Sequence, residues 1–358
     1  MVLSTLMLMN ICMLSLYETA SVNLYQEQIG KQDTLQSDLL FNCSGFKTGD
    51  DILQSFPFKV ELNPIIRSPE ITYGLLDDNK NIYFLNIFNE IYFPSSGFCF
   101  KHLKQLYVRK SSFQDENNTI SGEIQYLAPT LIDLGIYDTI ITHLPYEISK
   151  LEKLQTIKFS NTGLKILPEF IGNLSSLQFL SLRNNMLTSL PTTILNNQLL
   201  RQIELGNNPN LNSIQSLNGH QSVKYIEANN CSIENLPVNL FQLTDLYMSN
   251  NKLKNLRNIQ TLGHVTNAKK YFYFGQNHIQ SITPQIRYVK NLYFLNLDGN
   301  QLNNMPSSIL YMNTLRYLYI QNNHFGNTEL VTIISKFKTT NPSLKIFYKD
   351  QITSRIKI

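Results

Sequence analysis

The chain contains no tryptophan and few charges: only 16% of its 358 residues are Asp, Glu, Lys or Arg, and the formal balance is +4. So small a surplus, with no clustered Lys/Arg stripe, excludes the electrostatic footprint of a nucleic-acid binder. Catalytic signatures are missing too. The sequence holds no H-E-x-x-H, no G-x-S-x-G, no P-loop and no paired C-x-x-C. No catalytic residue, cofactor or metal site is therefore expected. The six His residues, among them His143, His220 and His324, fall at unrelated positions and read as solvent-facing polar groups. Asp50-Asp51 and Asp77-Asp78 read as solvated turns rather than metal ligands. Past residue 21 no run is long or apolar enough to span a bilayer.

The first seventeen residues, Met1 to Tyr17, are uncharged and mostly apolar, and the small residues Thr19 and Ser21 follow. Residues 1–21 are read as a secretion signal, although the usual Lys or Arg is absent. A signal anchor and a buried N-terminal segment are the alternatives.

Against these absences stands a repeat. Leu177, Leu180, Leu182, Asn185 and Leu187 spell L-x-x-L-x-L-x-x-N-x-L. The Asn slot of that frame returns at Ser111, Thr139, Thr162, Asn185, Asn208, Cys231, Asn251, Asn277, Asn300 and Asn323, and six of the nine spacings are 23 residues. A strand over the first half sends Leu180 and Leu182 inward and turns Phe179, Ser181 and Arg183 outward. The Asn amide follows at the turn, where it can pair backbone groups that would otherwise be buried without partners. Stacked coils make these residues a ladder, weaker where Ser111, Thr139, Thr162 or Cys231 replaces the amide. The return half carries Leu-Pro or Met-Pro at 144, 167, 190, 236 and 305, and Ile148, Ile171, Ile194, Leu240 and Ile309 close the core behind it.

The segment from Leu177 to Ile194 resembles the 23-residue leucine-rich repeat of the Ras-group type, L-x-x-L-x-L-x-x-N-x-L-x-x-L-P-x-x-I. That resemblance implies an α/β solenoid, a right-handed curved horseshoe with a parallel concave β-sheet and terminal caps, used for protein–protein recognition. It divides the chain into a signal (1–21), an N-terminal cap region with a degenerate first repeat at Ile82–Tyr92 (22–102), about ten repeats (103–325), and a capping helix with tail (326–358). Three departures predict irregular curvature. Asn208-Pro209-Asn210-Leu211 inserts a residue, the unit at Leu243 follows a 20-residue repeat, and Lys269-Lys270-Tyr271 has lost its first Leu. Ser121-Gly122-Glu123-Ile124 is similar to the return segment of plant-type repeats. Leu330, Ile333, Ile334 and Phe337 share one face of the expected capping helix.

Extracellular solenoids often carry a disulfide-stabilised cap, so Cys43 and Cys99 are the candidate bridge and Cys231 a buried free thiol. The alternative is two unpaired thiols in a reducing compartment. Asn42, Asn117, Asn173 and Asn230 head glycosylation triplets. With 41 Asn and 53 Ser plus Thr, about six triplets arise by chance, so they add little.

The outward strand positions point to the site. They read Phe179, Tyr225, Tyr247, Tyr271, Tyr273, Phe294, Tyr317 and Tyr319, against Asp133, Gly135, Thr156 and Lys158 in earlier repeats. Neighbouring strands lie about 4.8 Å apart, so these rings are expected to form one aromatic patch across the C-terminal half of the concave sheet. Arg183, Glu204, Glu227, Asp245, Asp298 and Arg316 are expected to form a mixed-charge rim, which suits a protein or peptide ligand better than a lipid. The competing reading is that aromatics favour strands and stack on one another there. Three functions remain open: an extracellular recognition module, an intracellular Ras-group-like scaffold, and the recognition arm of a receptor kinase or ligase whose catalytic part lies elsewhere. Oligomeric state is not legible.

Overall fold

The computed structural model describes residues 43–113, 118–264 and 267–349. The expected signal segment, Asn42, Asn117 and the tail from residue 350 lie outside them. The chain divides into two units, and of the first only the single 3-10 turn Cys43–Gly45 is described. The second, from Phe46 onward, is built on one long sheet.

Its strands follow the chain. They are β1 (Glu61–Leu62), β2 (Tyr73–Leu76), β3 (Ile82–Phe88), β4 (Tyr92–Phe93), β5 (Gln105–Arg109), β6 (Ser112–Phe113), β7 (Asp133–Tyr137) and β8 (Thr156–Ser160). β9 (Phe179–Ser181), β10 (Gln202–Glu204), β11 (Tyr225–Glu227), β12 (Asp245–Tyr247), β13 (Lys270–Tyr273), β14 (Leu292–Asn296), β15 (Tyr317–Tyr319) and β16 (Lys345–Phe347) complete the series. Fourteen form one sheet in sequence order, and β4 pairs with β6 in a separate ribbon. Every pairing in the long sheet is parallel except β2 with β3. β3 aligns Leu85 with Leu106 of β5, so the segment read as a degenerate first repeat occupies a full coil position.

The frame's physics is visible coil by coil. Leu177, Leu180, Leu182 and Leu187 are fully buried, and Ile148, Ile171, Ile194, Leu240 and Ile309 meet them from the return side. Each such side chain contributes roughly 1.5–3 kcal/mol by leaving water. Between them stands the ladder. Asn185 donates to the carbonyls of Phe159 (2.7 Å), Leu182 (3.1 Å) and Arg183 (3.2 Å), and accepts from Thr162 N (3.0 Å) and Leu164 N (3.2 Å). The same pattern recurs at Asn208, Asn251, Asn277, Asn300 and Asn323.

Directly before each rung the backbone turns left-handed. Asp138, Asn161, Asn184, Asn207, Asn230, Asn250, Gln276, Gly299 and Asn322 all have φ between 48° and 63°. Asn tolerates that region better than most residues, which accounts for the Asn-Asn doublets. Their amides form a second, exposed ladder: Asn161 donates to Asp138 (2.8 Å), Asn207 to Asn184 (2.7 Å) and Asn230 to Asn207 (2.7 Å).

The return segments are 3-10 turns opened by Pro, as at Tyr146–Lys150, Glu169–Asn173, Thr192–Asn196 and Ser307–Tyr311. At one end of the second unit, α1 (Gly49–Gln54) is held by a reciprocal cap between Thr48 and Asp51, and a phenylalanine cluster fills the space below. Phe93 packs against Phe98, Phe113 and Phe56 with ring centroids 5.0, 6.1 and 6.2 Å apart. At the other, α2 (Asn327–Thr340) buries Leu330, Ile333 and Phe337 and packs on the Ser307–Tyr311 turn, while Ile334 is half-buried.

Two sequence readings need correction or completion. His220 is not solvent-facing: it is buried, in the slot where Asn197 stands one coil earlier. Asn197 bonds the carbonyls of Ile171 (3.0 Å) and Leu174 (2.9 Å), and the imidazole takes the corresponding space because a polar group is needed there, not solvent. The acidic pairs are turn-formers. Asp51 caps α1, and Asp77 accepts from Asn79 N (2.9 Å) and Asn81 N (2.8 Å).

Candidate ligand-binding face

Strand alternation places one residue in two on the open side of the sheet, and parallel register aligns these in columns. One column runs Tyr225, Asp245, Tyr271, Phe294, Tyr317, Lys345; the next runs Glu227, Tyr247, Tyr273, Asn296, Tyr319, Phe347. Rings touch across the columns. Centroids lie 5.2 Å apart for Tyr225–Tyr247, 4.4 Å for Tyr247–Tyr273, 4.6 Å for Tyr273–Phe294, 5.2 Å for Phe294–Tyr319 and 4.2 Å for Tyr319–Phe347. The chain of rings is unbroken from β11 to β16. Tyr247–Tyr273 and Tyr319–Phe347 are near-parallel stacks, at 11° and 8°, so they direct ring edges and phenol groups away from the sheet.

Sequence reasoning missed two members. Tyr293 links Tyr271 (5.7 Å) to Tyr317 (5.6 Å) because a register shift between β13 and β14 gives it a place in the row. The same shift buries Lys270 opposite Leu292, in the core slot left without its leucine. Phe347 lies beyond the last repeat, on β16, where pairing with β15 sets it opposite Tyr319. Phe179, by contrast, has no ring partner in the row: Lys158 Nζ sits 5.7 Å from its centroid, and Gln202 and Glu204 intervene in β10.

The charged residues do not surround the rings evenly. Arg183 Nε lies 2.9 Å from Glu204 and 3.2 Å from Glu227, inside the face. Glu227 is buried, and its carboxylate also accepts from Gly206 N (3.2 Å) and Asn229 N (3.1 Å). A Cβ on Gly206 would stand 2.5 Å from that carboxylate, which explains the glycine. Arg183, Glu204 and Glu227 therefore form a fixed ionic cluster rather than a rim. Asp298 binds Asn322 (2.9 Å) and Arg316 binds the Asn313 carbonyl (2.6 Å), whereas Asp245 interrupts the first column between Tyr225 and Tyr271 and Lys345 ends it on β16.

Burial raises the pKa of the Tyr225, Tyr247 and Tyr273 phenols, and Asp245 adds to the effect. They remain protonated donors at neutral pH. A second cluster, unforeseen from sequence, lies on β5–β8. Tyr107 donates to Asp133 (2.6 Å), Lys158 Nζ pairs with the same carboxylate (3.2 Å), and the Arg109 guanidinium lies 3.8 Å from the Tyr137 centroid. Gly135 makes room for it: a Cβ there would stand 2.3 Å from Tyr107.

Cys43 and Cys99 are each disulfide-bonded, and Cys231 is a buried free thiol pushed up to about 11 by burial. Asn173 is exposed at the end of its 3-10 turn, while Asn230 already donates within the outer ladder. Among the described residues no group of His, Cys, Asp or Glu is arranged to hold a metal ion, and no helix is long and apolar enough to cross a membrane.

Coils with one strand each, joined in parallel by 3-10 returns and an asparagine ladder, define a leucine-rich repeat solenoid. Residues 85–268 match the family described as a leucine-rich repeat region, and the chain belongs to it. A rat volume-regulated anion channel subunit, LRRC8D, is 29% identical over 98 residues, which is 27% of this chain and 11% of that protein. The chain thus spans a small part of that relative's length. Among solved structures, an internalin from Listeria monocytogenes superposes with a TM-score of 0.54 at 16% identity over 78% of this chain and 86% of its own. FLRT2, solved with Latrophilin 3 and Unc5D, gives 0.57 at 15% over 82% and 88%. The Drosophila Toll–Spatzle complex gives 0.57 at 18% over 74% and 40%.

Proposed function

We propose that this solenoid is a non-catalytic recognition module that binds a protein or peptide ligand on the C-terminal half of its concave face, outside the cell. The unbroken ring chain from Tyr225 to Phe347 carries this reading. Half-buried rings on a preformed sheet offer apolar area with little side-chain entropy to lose, and tyrosine is enriched where interfaces hold their energy. The phenols add protonated donors along the same surface. Disulfide-bonded Cys43 and Cys99 favour an oxidising compartment over the cytosol. Toll bound to Spatzle, and FLRT2 solved with two partners, are examples of the same fold in protein complexes.

The test is a random-peptide display selection on the immobilised chain, run in parallel on wild type and on a Tyr273→Ala/Tyr319→Ala variant. Wild type should enrich binders whose affinity falls at least tenfold on the variant, while both proteins unfold at the same denaturant concentration. Equal binding by the two proteins would remove the ring row as the site. For the compartment, expression in a secretory host should release a protein beginning near residue 22; retention in the cytosol would contradict that half of the proposal.

A further inference from the structure

The ring row has a length, a polarity and a backbone constraint that together narrow its ligand. The site lies on the face of the sheet, and the backbone groups of β12 to β15 are already spent in pairing with their neighbours. A peptide seated there cannot join as an extra strand, so its own backbone must stay satisfied by water and by side chains. Polyproline II meets that condition, since it has no internal hydrogen bonds and keeps its backbone solvated, and aromatic rows are the surface it docks on. Its three-residue turn advances about 9.3 Å, close to the roughly 9.6 Å between alternate strands, so one face of the peptide meets every second strand in phase. Tyr271 and Tyr273 on β13 and Tyr317 and Tyr319 on β15, two strands apart, carry phenols able to donate to peptide carbonyls.

Charge sets the ends. On β12 the first column carries Asp245, paired with Tyr225 of β11, and the second pairs Tyr247 with the buried Glu227. On β16 the first column carries the exposed Lys345, whose ammonium lies 5.6 Å from the Tyr317 ring; at the starts of β13 and β15 stand Lys269, 4.0 Å from the Tyr293 ring, and Arg316. Between Asp245 and Lys345 the outward positions within β13 to β15 are uncharged: Tyr271, Tyr273, Phe294, Asn296, Tyr317 and Tyr319. Resting on the proposed concave site, we infer that its ligand is a polyproline II segment with a basic residue over Asp245 and an acidic residue over Lys345. Four strand intervals separate these two side chains, about 19 Å, the rise of six polyproline II residues. The two charges are therefore expected at positions i and i+6.

The probe is a capped, fluorescently labelled peptide Arg-Pro-Pro-Pro-Pro-Pro-Glu, titrated with the full chain at low salt and followed by anisotropy. Saturable binding is expected, lost in the Tyr273→Ala/Tyr319→Ala variant. Replacing the peptide's Arg by Gln should weaken binding to wild type about threefold, the size expected of an exposed ion pair, and have no effect on Asp245→Asn. Replacing its Glu by Gln should do the same for wild type against Lys345→Gln. Because polyproline II is nearly symmetric in direction, Glu-Pro-Pro-Pro-Pro-Pro-Arg should still bind, whereas an Arg/Arg or Glu/Glu version should not match it. No binding by the proline peptides, while display-selected peptides still bind in a Tyr273/Tyr319-dependent way, would overturn the polyproline assignment and leave the recognition site standing. Binding unaffected by either charge substitution would overturn the polarity. Failure of every peptide, selected or designed, would sink the site itself.

Discussion

Two rungs of the ladder separate what a residue type suggests from what its neighbours demand. Asn185 pairs five backbone groups, and truncating it leaves buried donors and acceptors open. Asn185→Ala is expected to lower stability by about 2–3 kcal/mol in urea unfolding followed by far-ultraviolet circular dichroism. Cys231 looks like a defect in the same series, with only 3.5 Å contacts from its sulfur to the carbonyls of Leu205 and Asn229. The inserted residue at Asn208-Pro209-Asn210 explains it. The Leu211 N–H, which a rung oxygen would otherwise accept, donates instead to the Asn208 carbonyl at 3.0 Å. The Asn208 N–H still reaches the sulfur, so an amide oxygen at 231 would find one backbone donor rather than two; Cys231→Asn is expected to gain about 1 kcal/mol or less, short of a full rung, and Cys231→Ala to cost about as little, by the same measurement. Both departures are legible in the sequence; their coupling is not, because it depends on where one backbone N–H points.

At the scale of one coil, the frame predicts the inward strand residues and the Pro-led returns, but not the polar residues buried in the return half. Asn197 and His220 occupy equivalent places there, and nothing in L-x-x-L-x-L-x-x-N marks them. Burial holds the His220 imidazole below its ordinary value of 6.5. In the interval between the lowered folded value and 6.5 the unfolded chain binds more protons, so this contribution to stability is complete above 6.5 and is lost as pH falls through the folded value. Relative to wild type, His220→Asn should therefore gain stability as pH drops from about 7 to about 5. Thermal unfolding of both proteins across that range checks it; a constant difference would mean that His220 does not titrate on unfolding.

Over the whole second unit, each coil rests on its two neighbours, and the end coils depend on their caps. The capping helix was legible as an amphipathic pattern, and α2 buries three of its four expected face residues outright. Phe337→Ala is expected to cost about 3–5 kcal/mol at the last coils. Hydrogen exchange should then quicken over residues 302–325 and leave 156–208 unchanged; a uniform increase would show that the array opens as one unit. The phenylalanine cap around Phe93 was not legible, since Phe56, Phe93, Phe98 and Phe113 follow no common period.

By itself the sequence determined the solenoid, its period, the inward leucines and the asparagine rungs, because each arises from spacing within one coil. Only the tertiary structure decided what lies beside what on the open face. Lateral neighbours are 20 to 28 residues apart, as Tyr225 is from Asp245, and a shift of one position moves a side chain to another column. That is how Tyr293 and Phe347 entered the ring row, how Phe179 was left out of it, and how Arg183 became locked between Glu204 and Glu227.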